Sequence, residues 1–187
     1  MSRTARLLIA ALAAVAALVV AGCGSDEGPQ TSGNTEGVYI DVGDLKYQVQ
    51  ISRILNPADI EDQGYLRGIS QGVEPADDEV WFAIFMRVQN ETGKPLIPAD
   101  TFTMVDTAGD EYTALNLDDK INVFAYKPLP IPAGGLVPQL SSAPSDNTIQ
   151  GSLLLFKVKV SALSNRPVEL RVSSSRGGPT GRISLDI

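Results

Sequence analysis

The chain has 187 residues, of which 43% are hydrophobic and 20% charged, with a formal net charge of −7 and no histidine. Without histidine, the Ser-His-Asp and Cys-His routes to an activated nucleophile are excluded, and zinc sites lose one of their usual ligands. The acidic balance disfavours nucleic acid as a partner.

The N-terminus has the pattern of an export signal. Arg3 and Arg6 precede residues 7–20, an unbroken apolar run of 14 residues. This run is shorter than the roughly 20 helical residues that cross a hydrocarbon core. A positive start, a short apolar middle and small residues at the end are typical of a cleaved secretory signal.

The next four residues, VAGC at 20–23, contain the single cysteine of the chain. They resemble the lipobox of bacterial lipoproteins. The resemblance implies that the signal peptide 1–22 is removed and that Cys23 carries a diacylglycerol and an N-acyl lipid such as palmitate. The protein would then be anchored to the outer, extracytoplasmic face of the cell membrane, with no other cofactor. An ordinary signal with an incidental cysteine, or an uncleaved anchor helix, remains an alternative.

Residues 23–37 continue as a small, polar, acidic stretch, GSDEGPQTSGNTEG after the cysteine, and predict a lipidated flexible tether. The domain is predicted over 38–187. With one cysteine in the chain, this domain has no internal disulfide and depends on an apolar core. Between residues 23 and 187 there are 22 acidic and 13 basic residues, which disfavours anionic surfaces as partners.

From residue 38 onward, apolar and polar residues alternate as in β-strands. In LKYQVQIS, Leu45, Tyr47, Val49 and Ile51 are predicted to face a core. Residues 79–90 are apolar on both faces, as in a central strand. Further strands are predicted at 101–106, 111–115, 121–126, 152–160, 168–173 and 182–187, and one short helix at 57–63. This pattern predicts an all-β, immunoglobulin-like antiparallel β-sandwich of seven to eight strands.

Two stretches, WFAIFMRVQNETGKP followed by TFTMVDTAGDEYTAL, resemble the centre of a family of secreted immunoglobulin-like domains of unknown function. These domains are frequent in lipoproteins of Gram-positive and actinobacterial type. The similarity continues with Pro132-Ala133-Gly134 and with GSLLLFKV at 151–158, and covers roughly residues 38–175. Two long loops depart from the family pattern, an acidic one at 56–78 and a proline-rich one that separates Gly134 from Gly151.

The sequence indicates a binding protein rather than an enzyme. Six of the carboxylates between 59 and 79 are candidate calcium ligands, but they lack the ordered spacing of a calcium loop, and a solvated acidic surface is the favoured interpretation: Asp59, Glu61, Asp62, Asp77, Asp78 and Glu79. No catalytic or metal residues are assigned. The function indicated is a non-enzymatic binding or accessory module at the cell envelope, with an envelope protein or polysaccharide as partner.

The alternative is a small-ligand carrier or sensor with a pocket beneath the long loops. Loops longer than about 12 to 15 residues usually serve function or are disordered. We therefore expect the partner surface on the 56–78 and 128–150 loops, with these candidates: Tyr65, Leu66, Ile69, Leu136 and Val137. For Tyr65, packing under the loop is an equal alternative.

Overall fold

The structure is a computed structural model that describes residues 28–187. The predicted signal peptide and the lipid attachment at Cys23 lie outside the described residues. The described part contains ten strands, two α-helices and one 3₁₀ helix, which are in chain order β1 (Ser32–Gly33), β2 (Tyr39–Val42), β3 (Leu45–Leu55), α1 (Ile60–Tyr65), β4 (Glu79–Gln89), β5 (Thr101–Val105), β6 (Glu111–Thr113), β7 (Leu136–Val137), α2 (Ala143–Asp146), β8 (Ser152–Lys159), the 3₁₀ helix (Val160–Ser164), β9 (Val168–Ser173) and β10 (Gly181–Leu185).

The strands form two sheets that pack face to face. Sheet A has the order β1-β10-β9-β5-β6, and sheet B has the order β2-β3-β4, with β7 and β8 sharing the other edge of β4. The β1–β10 ladder is parallel and the other ladders between named strands are antiparallel. The predicted all-β sandwich is confirmed. Eight of its strands have three or more residues, and β1 and β7 have two each.

Strand β4 is buried on both faces because it separates two cores. Phe82, Ile84 and Met86 face the inner core between the sheets. Ala83 and Phe85 face an outer core on the other side of sheet B, together with Leu153 and Leu155 of β8 and with side chains from the loops. Residues 79–90 are therefore apolar on both faces because each face packs against one of the two cores.

A β-bulge in β3 changes the predicted alternation. Val49 pairs with Met86 and Ile51 with Phe85, so Gln50 is the additional residue. Leu45, Tyr47 and Val49 face the inner core as predicted, but the prediction for Ile51 is wrong: it lies on the outer face and is 39% exposed. Ser52 takes the buried position, and its backbone N–H and its hydroxyl both donate to the Glu36 carboxylate.

The prediction of a flexible tether at 23–37 is wrong for residues 30–37, which are part of the folded domain. Gln30 and Asp41 are joined by two hydrogen bonds, from the Asp41 N–H to the Gln30 carbonyl (2.7 Å) and from the Gln30 N–H to the Asp41 carboxylate (2.9 Å). Ser32 and Gly33 form β1, and Glu36 accepts from Ser52 and from the Asp186 N–H. These polar residues lie at the edge of the sandwich, where hydrogen bonds rather than apolar burial hold them. The folded domain thus begins near Gln30.

Two further predictions from the pattern are wrong. The helix spans 60–65 rather than 57–63, because the Asp59 carboxylate accepts from the N–H of Glu61 and caps it. Residues 121–126 form turns rather than a strand. Ile121 and Val123 point to solvent, and only Ala125 makes a β-bridge, with Leu153.

The sandwich has two ends, called the entry end and the far end. The entry end contains the first residues that the structure describes, the β2–β3 turn and the last residues of β4. The far end contains the last residues of β3, the first of β4 and the last of β8, which pair with one another.

Candidate functional site

The 56–78 loop, here called the excursion, leaves and rejoins sheet B at the far end. It folds over the outer face of the sheet, where Leu66, Ile69 and Val73 pack against the outer core. Together with Trp81, these residues line an open cleft of about 490 Å³, the excursion cleft. Leu66 and Ile69 are half-buried in it. The two predicted candidates therefore share one concave surface.

Polar side chains fasten the excursion to the sheet. The Asp62 carboxylate is buried, forms an ion pair with the Arg53 guanidinium and accepts from the Asn56 N–H at 2.7 Å. From the opposite side, the buried Asn122 amide donates to the carbonyl oxygens of Tyr65 and Arg67, both at 2.9 Å. Because these groups are bonded inside the protein, the excursion has a defined shape rather than that of a loose loop.

Tyr65 is part of the outer core and does not line either cleft described here. It is 5% exposed, and its ring makes edge-to-face contacts with Phe85 and Phe124 at centroid distances of 5.0 and 4.9 Å. Its hydroxyl accepts from the Asn147 side chain at 2.8 Å, and burial raises its pKa. Of the two open interpretations of Tyr65, its geometry favours packing rather than contact with a partner.

A second cleft, of about 850 Å³, lies beside β7 at the edge of sheet B and is called the proline cleft. The residues of 128–144 form most of its wall, and Leu136 and Val137 line it half-buried. Its rim holds Val123, Leu129 and Leu140, which are 58%, 62% and 72% exposed. None of these three residues is among the partner-binding candidates predicted from the sequence. The signal that could have identified them is the near absence of charge from 121 to 144, where Lys127 is the only charged residue.

One buried asparagine holds the proline-rich wall. Asn90 directly follows β4, and its side-chain nitrogen lies 2.8–3.0 Å from the carbonyl oxygens of Lys94, Ile131 and Pro132. Its side-chain oxygen accepts from Thr92. The role of Asn90 in this chain is to satisfy backbone carbonyls where two loops meet.

Two tyrosine hydroxyls bind the backbone of the same residue near the entry end. The Ala99 N–H donates to the Tyr47 hydroxyl at 2.6 Å, and the Tyr126 hydroxyl donates to the Ala99 carbonyl at 2.9 Å. Burial disfavours the charged phenolate, which raises the pKa of Tyr47 to about 12 and raises that of Tyr126 well above its ordinary value. Both hydroxyls are thus neutral structural groups near neutral pH.

Several of the acidic residues at 59–79 have structural roles. Asp59 caps α1, and Asp62 forms the buried ion pair with Arg53. Glu79 accepts from the Ala76 N–H at 2.9 Å and lies 3.1 Å from the Lys157 ammonium, and these two contacts lower its pKa. Within residues 28–187, the acidic side chains form no group of three or more that could hold a metal ion. Over the same residues, the structure contains no helix of the length and hydrophobicity needed to span a bilayer.

No protein-family model matches the chain. No curated protein matches it either. Among solved structures, the yjhA protein from Bacillus subtilis is similar with a TM-score of 0.53 and 11% identity, over 82% of this chain and 99% of that one. At this identity the similarity concerns the fold alone.

Two other crystal structures have TM-scores of 0.44. One is an uncharacterized β-sandwich protein from Clostridium difficile 630, with 11% identity over 88% of this chain and 100% of that one. The other is a conserved hypothetical protein from Bacillus anthracis, with 10% identity over 81% of this chain and 95% of that one.

Proposed function

We propose that this protein is a lipid-anchored, extracytoplasmic binding or accessory module without catalytic activity, which presents the excursion cleft to an envelope protein or polysaccharide. The lipobox-like residues 20–23 support the anchor. The observation that carries the proposal is the position of the excursion cleft. It lies at the far end of the sandwich, whereas the chain enters the fold from Cys23 at the other end.

The composition of the excursion fits a contact surface. It holds six acidic residues and one basic residue, and several of its side chains are exposed around the cleft, among them Gln71 and Glu74. An apolar floor of Leu66, Ile69 and Trp81 with a polar rim resembles the usual anatomy of a protein interface. Binding sites are commonly placed on loops that a rigid scaffold holds in position.

Site-specific photo-crosslinking in intact cells tests this proposal. A photoreactive residue at Gln71 or Glu74 should give a discrete adduct with an envelope component. The same residue at Arg182, which is exposed on β10 away from both clefts, is the matched control. Equal labelling at Arg182, or none at the cleft, would count against the excursion cleft as the contact surface.

The anchor is tested separately. The Cys23→Ser variant should remain as an uncleaved precursor or be released, because without the thiol it carries none of the acyl chains that stable anchoring needs. Mass spectrometry of the mature N-terminus measures this directly. Cleavage at another position with Cys23 unmodified would exclude the lipid anchor.

The second candidate function, a carrier or sensor of a small ligand, is favoured by the size of the clefts. Their volumes of about 490 and 850 Å³ lie in the range of small-molecule sites, although both clefts are open to solvent. Native mass spectrometry of the protein isolated from its own membranes separates the two candidates. A single co-purifying small molecule would favour the carrier over the binding module.

A further inference from the structure

The proline cleft, of about 850 Å³, is the larger of the two clefts and is not part of the proposed contact surface. Val123, Leu129 and Leu140 stand on its rim with more than half of each side chain exposed. Residues 121–144 contain one charged residue, Lys127, in a chain of which 20% is charged. Apolar side chains gathered around an open groove on an otherwise charged protein mark a site that another apolar surface covers.

The register of sheet B shows where this groove lies relative to the N-terminus. Gln30 is hydrogen-bonded to Asp41, Asp41 pairs with Lys46, Lys46 with Gln89, and Gln89 with Leu136 in the wall of the cleft. The last four residues form one transverse row of sheet B, and Gln30 lies beside its first member. At the usual spacing between neighbouring strands, Gln30 and Leu136 are at most about 19 Å apart. The Leu136 side of the cleft therefore lies at the end of the sandwich at which the chain enters.

The length of chain between Cys23 and the folded domain is short. Seven residue steps connect Cys23 to Gln30, and in any conformation they span at most about 25 Å. A lipid on Cys23 thus holds Gln30 within that distance of the membrane. The proline cleft, whose residue Leu136 lies on the row beside Gln30, is held within reach of the lipid surface as well.

Charge favours the same orientation. The excursion at the far end has six acidic residues and one basic residue. The loops at the entry end, 43–44, 90–97 and 174–180, together have two acidic and two basic residues, and two of these, Asp44 and Lys94, form an ion pair of 3.5 Å. An anionic bilayer would therefore repel the excursion more strongly than these three loops.

We propose that the rim of the proline cleft, Val123, Leu129 and Leu140, rests in the interface of the membrane to which Cys23 anchors the chain. This inference depends on the lipid anchor of the proposed function. It assigns the two clefts to different partners: the proline cleft contacts lipid, and the excursion cleft faces away from the membrane. Burying a few large apolar side chains at the headgroup boundary fixes the orientation of a domain that the tether alone would leave free to rotate.

The test measures the depth of single positions in the lipidated full-length protein. After lipidation, a cysteine introduced by Leu140→Cys or Leu129→Cys is the only free thiol, and it takes an environment-sensitive fluorophore. The matched control is Ile60→Cys on α1 at the far end, where an isoleucine is 86% exposed. The labelled proteins are reconstituted into phosphatidylcholine vesicles with and without phosphatidylglycerol, and the quencher is bromine on the lipid acyl chains.

We expect a blue-shifted emission and the loss of most fluorescence to brominated lipid at positions 129 and 140, with no quenching at position 60. Anchored protein with equal responses at all three positions, or with none at 129 and 140, would overturn the inference while leaving the lipid anchor intact.

Shielding of position 140 in native membranes but not in pure vesicles would assign the cleft to a protein, and concentration-dependent shielding in detergent would assign it to a second copy. Both results would overturn the lipid assignment. If Cys23 carries no lipid, mass spectrometry shows it, and the anchor and the inference fail together.

Discussion

The excursion at 56–78 and the proline-rich segment at 128–150 have the same length and similar numbers of large apolar residues, but they use those residues differently. The excursion turns most of its apolar side chains onto sheet B, where Tyr65 completes the outer core, and leaves Ile60 exposed. The proline-rich segment leaves Leu129 and Leu140 exposed around a cleft. Apolar residues in a long loop therefore indicate burial only where the scaffold offers an uncovered apolar face, as the outer side of β4 does here.

The largest expected effect tests this difference directly. Replacing Tyr65 by Ala removes a buried ring from between Phe85 and Phe124, and the free energy of unfolding should fall by about 3 kcal/mol. Denaturant unfolding measures the change. The Tyr65→Phe variant keeps the ring and loses only the hydrogen bond to Asn147, so it should lose about 1 kcal/mol or less. A loss near zero for Tyr65→Ala would mean that the excursion is not a structural cover.

A smaller effect compares the two asparagines that hold the loops. Asn122→Ala leaves buried carbonyls of the excursion without a donor, and Asn90→Ala does the same for the proline-rich segment. Each should lower the free energy of unfolding by about 2 kcal/mol. Amide hydrogen exchange should quicken locally, at 64–68 for the first variant and at 129–135 for the second. Uniform quickening across the domain in both variants would contradict the independence of the two loops.

An effect of alkaline pH is expected at the entry end. In the folded domain the Tyr47 hydroxyl has a pKa of about 12, whereas in the unfolded chain its pKa is near the ordinary value of 10.0. Stability should therefore fall as the pH rises from 10 to 12, and the Tyr47 contribution lost at pH 11 is about 1 kcal/mol. Tyr47→Phe should remove this part of the pH dependence while lowering stability at neutral pH. Unfolding curves of the two proteins at pH 8 and pH 11 measure it, and an unchanged slope with pH would show that Tyr47 ionises normally.

The smallest expected effect concerns the rim of the proline cleft. Leu129→Ser and Leu140→Ser should each change the free energy of unfolding by less than about 0.5 kcal/mol, because both side chains are largely exposed. Thermal and denaturant unfolding of the purified variants provide the measurement. A loss comparable to that of Tyr65→Ala would show that the rim is packed in solution, which would remove the contrast between the loops.

Much of the fold was predictable because it depends on local patterns. The alternation at 45–49 and the two-sided apolar run at 79–90 correctly predicted strands, and the latter correctly predicted the centre of a sheet. Of the two long loops, the one at 56–78 was located correctly, whereas the one at 128–150 contains β7 and α2 and is not preceded by the strand predicted at 121–126. Their roles were not predictable, because the same apolar residues can cover a sheet or line a cleft.

The errors have specific causes. The alternation at 121–126 is as regular as that of a strand, but Asn122 bonds its side chain to the excursion and the backbone turns. Residues 30–37 are polar throughout, yet the carboxylate of Glu36 joins β3 to the end of the chain. In both places the deciding contacts are with residues far away in the sequence.

The sequence by itself determined the secondary-structure class, the sandwich with a two-sided central strand, and the export-signal pattern with one cysteine. These follow from the period of apolar residues and from residue types at short spacing, which are local properties of the chain. Only the tertiary structure decided that a bulge at Gln50 turns Ile51 outward, that Tyr65 is a core residue and that the proline cleft shares an end with the N-terminus. Each of these features depends on strand register and on the packing of segments that are far apart in the sequence. The free energy of such contacts depends on which surfaces meet, and the order of residues within one segment does not specify that.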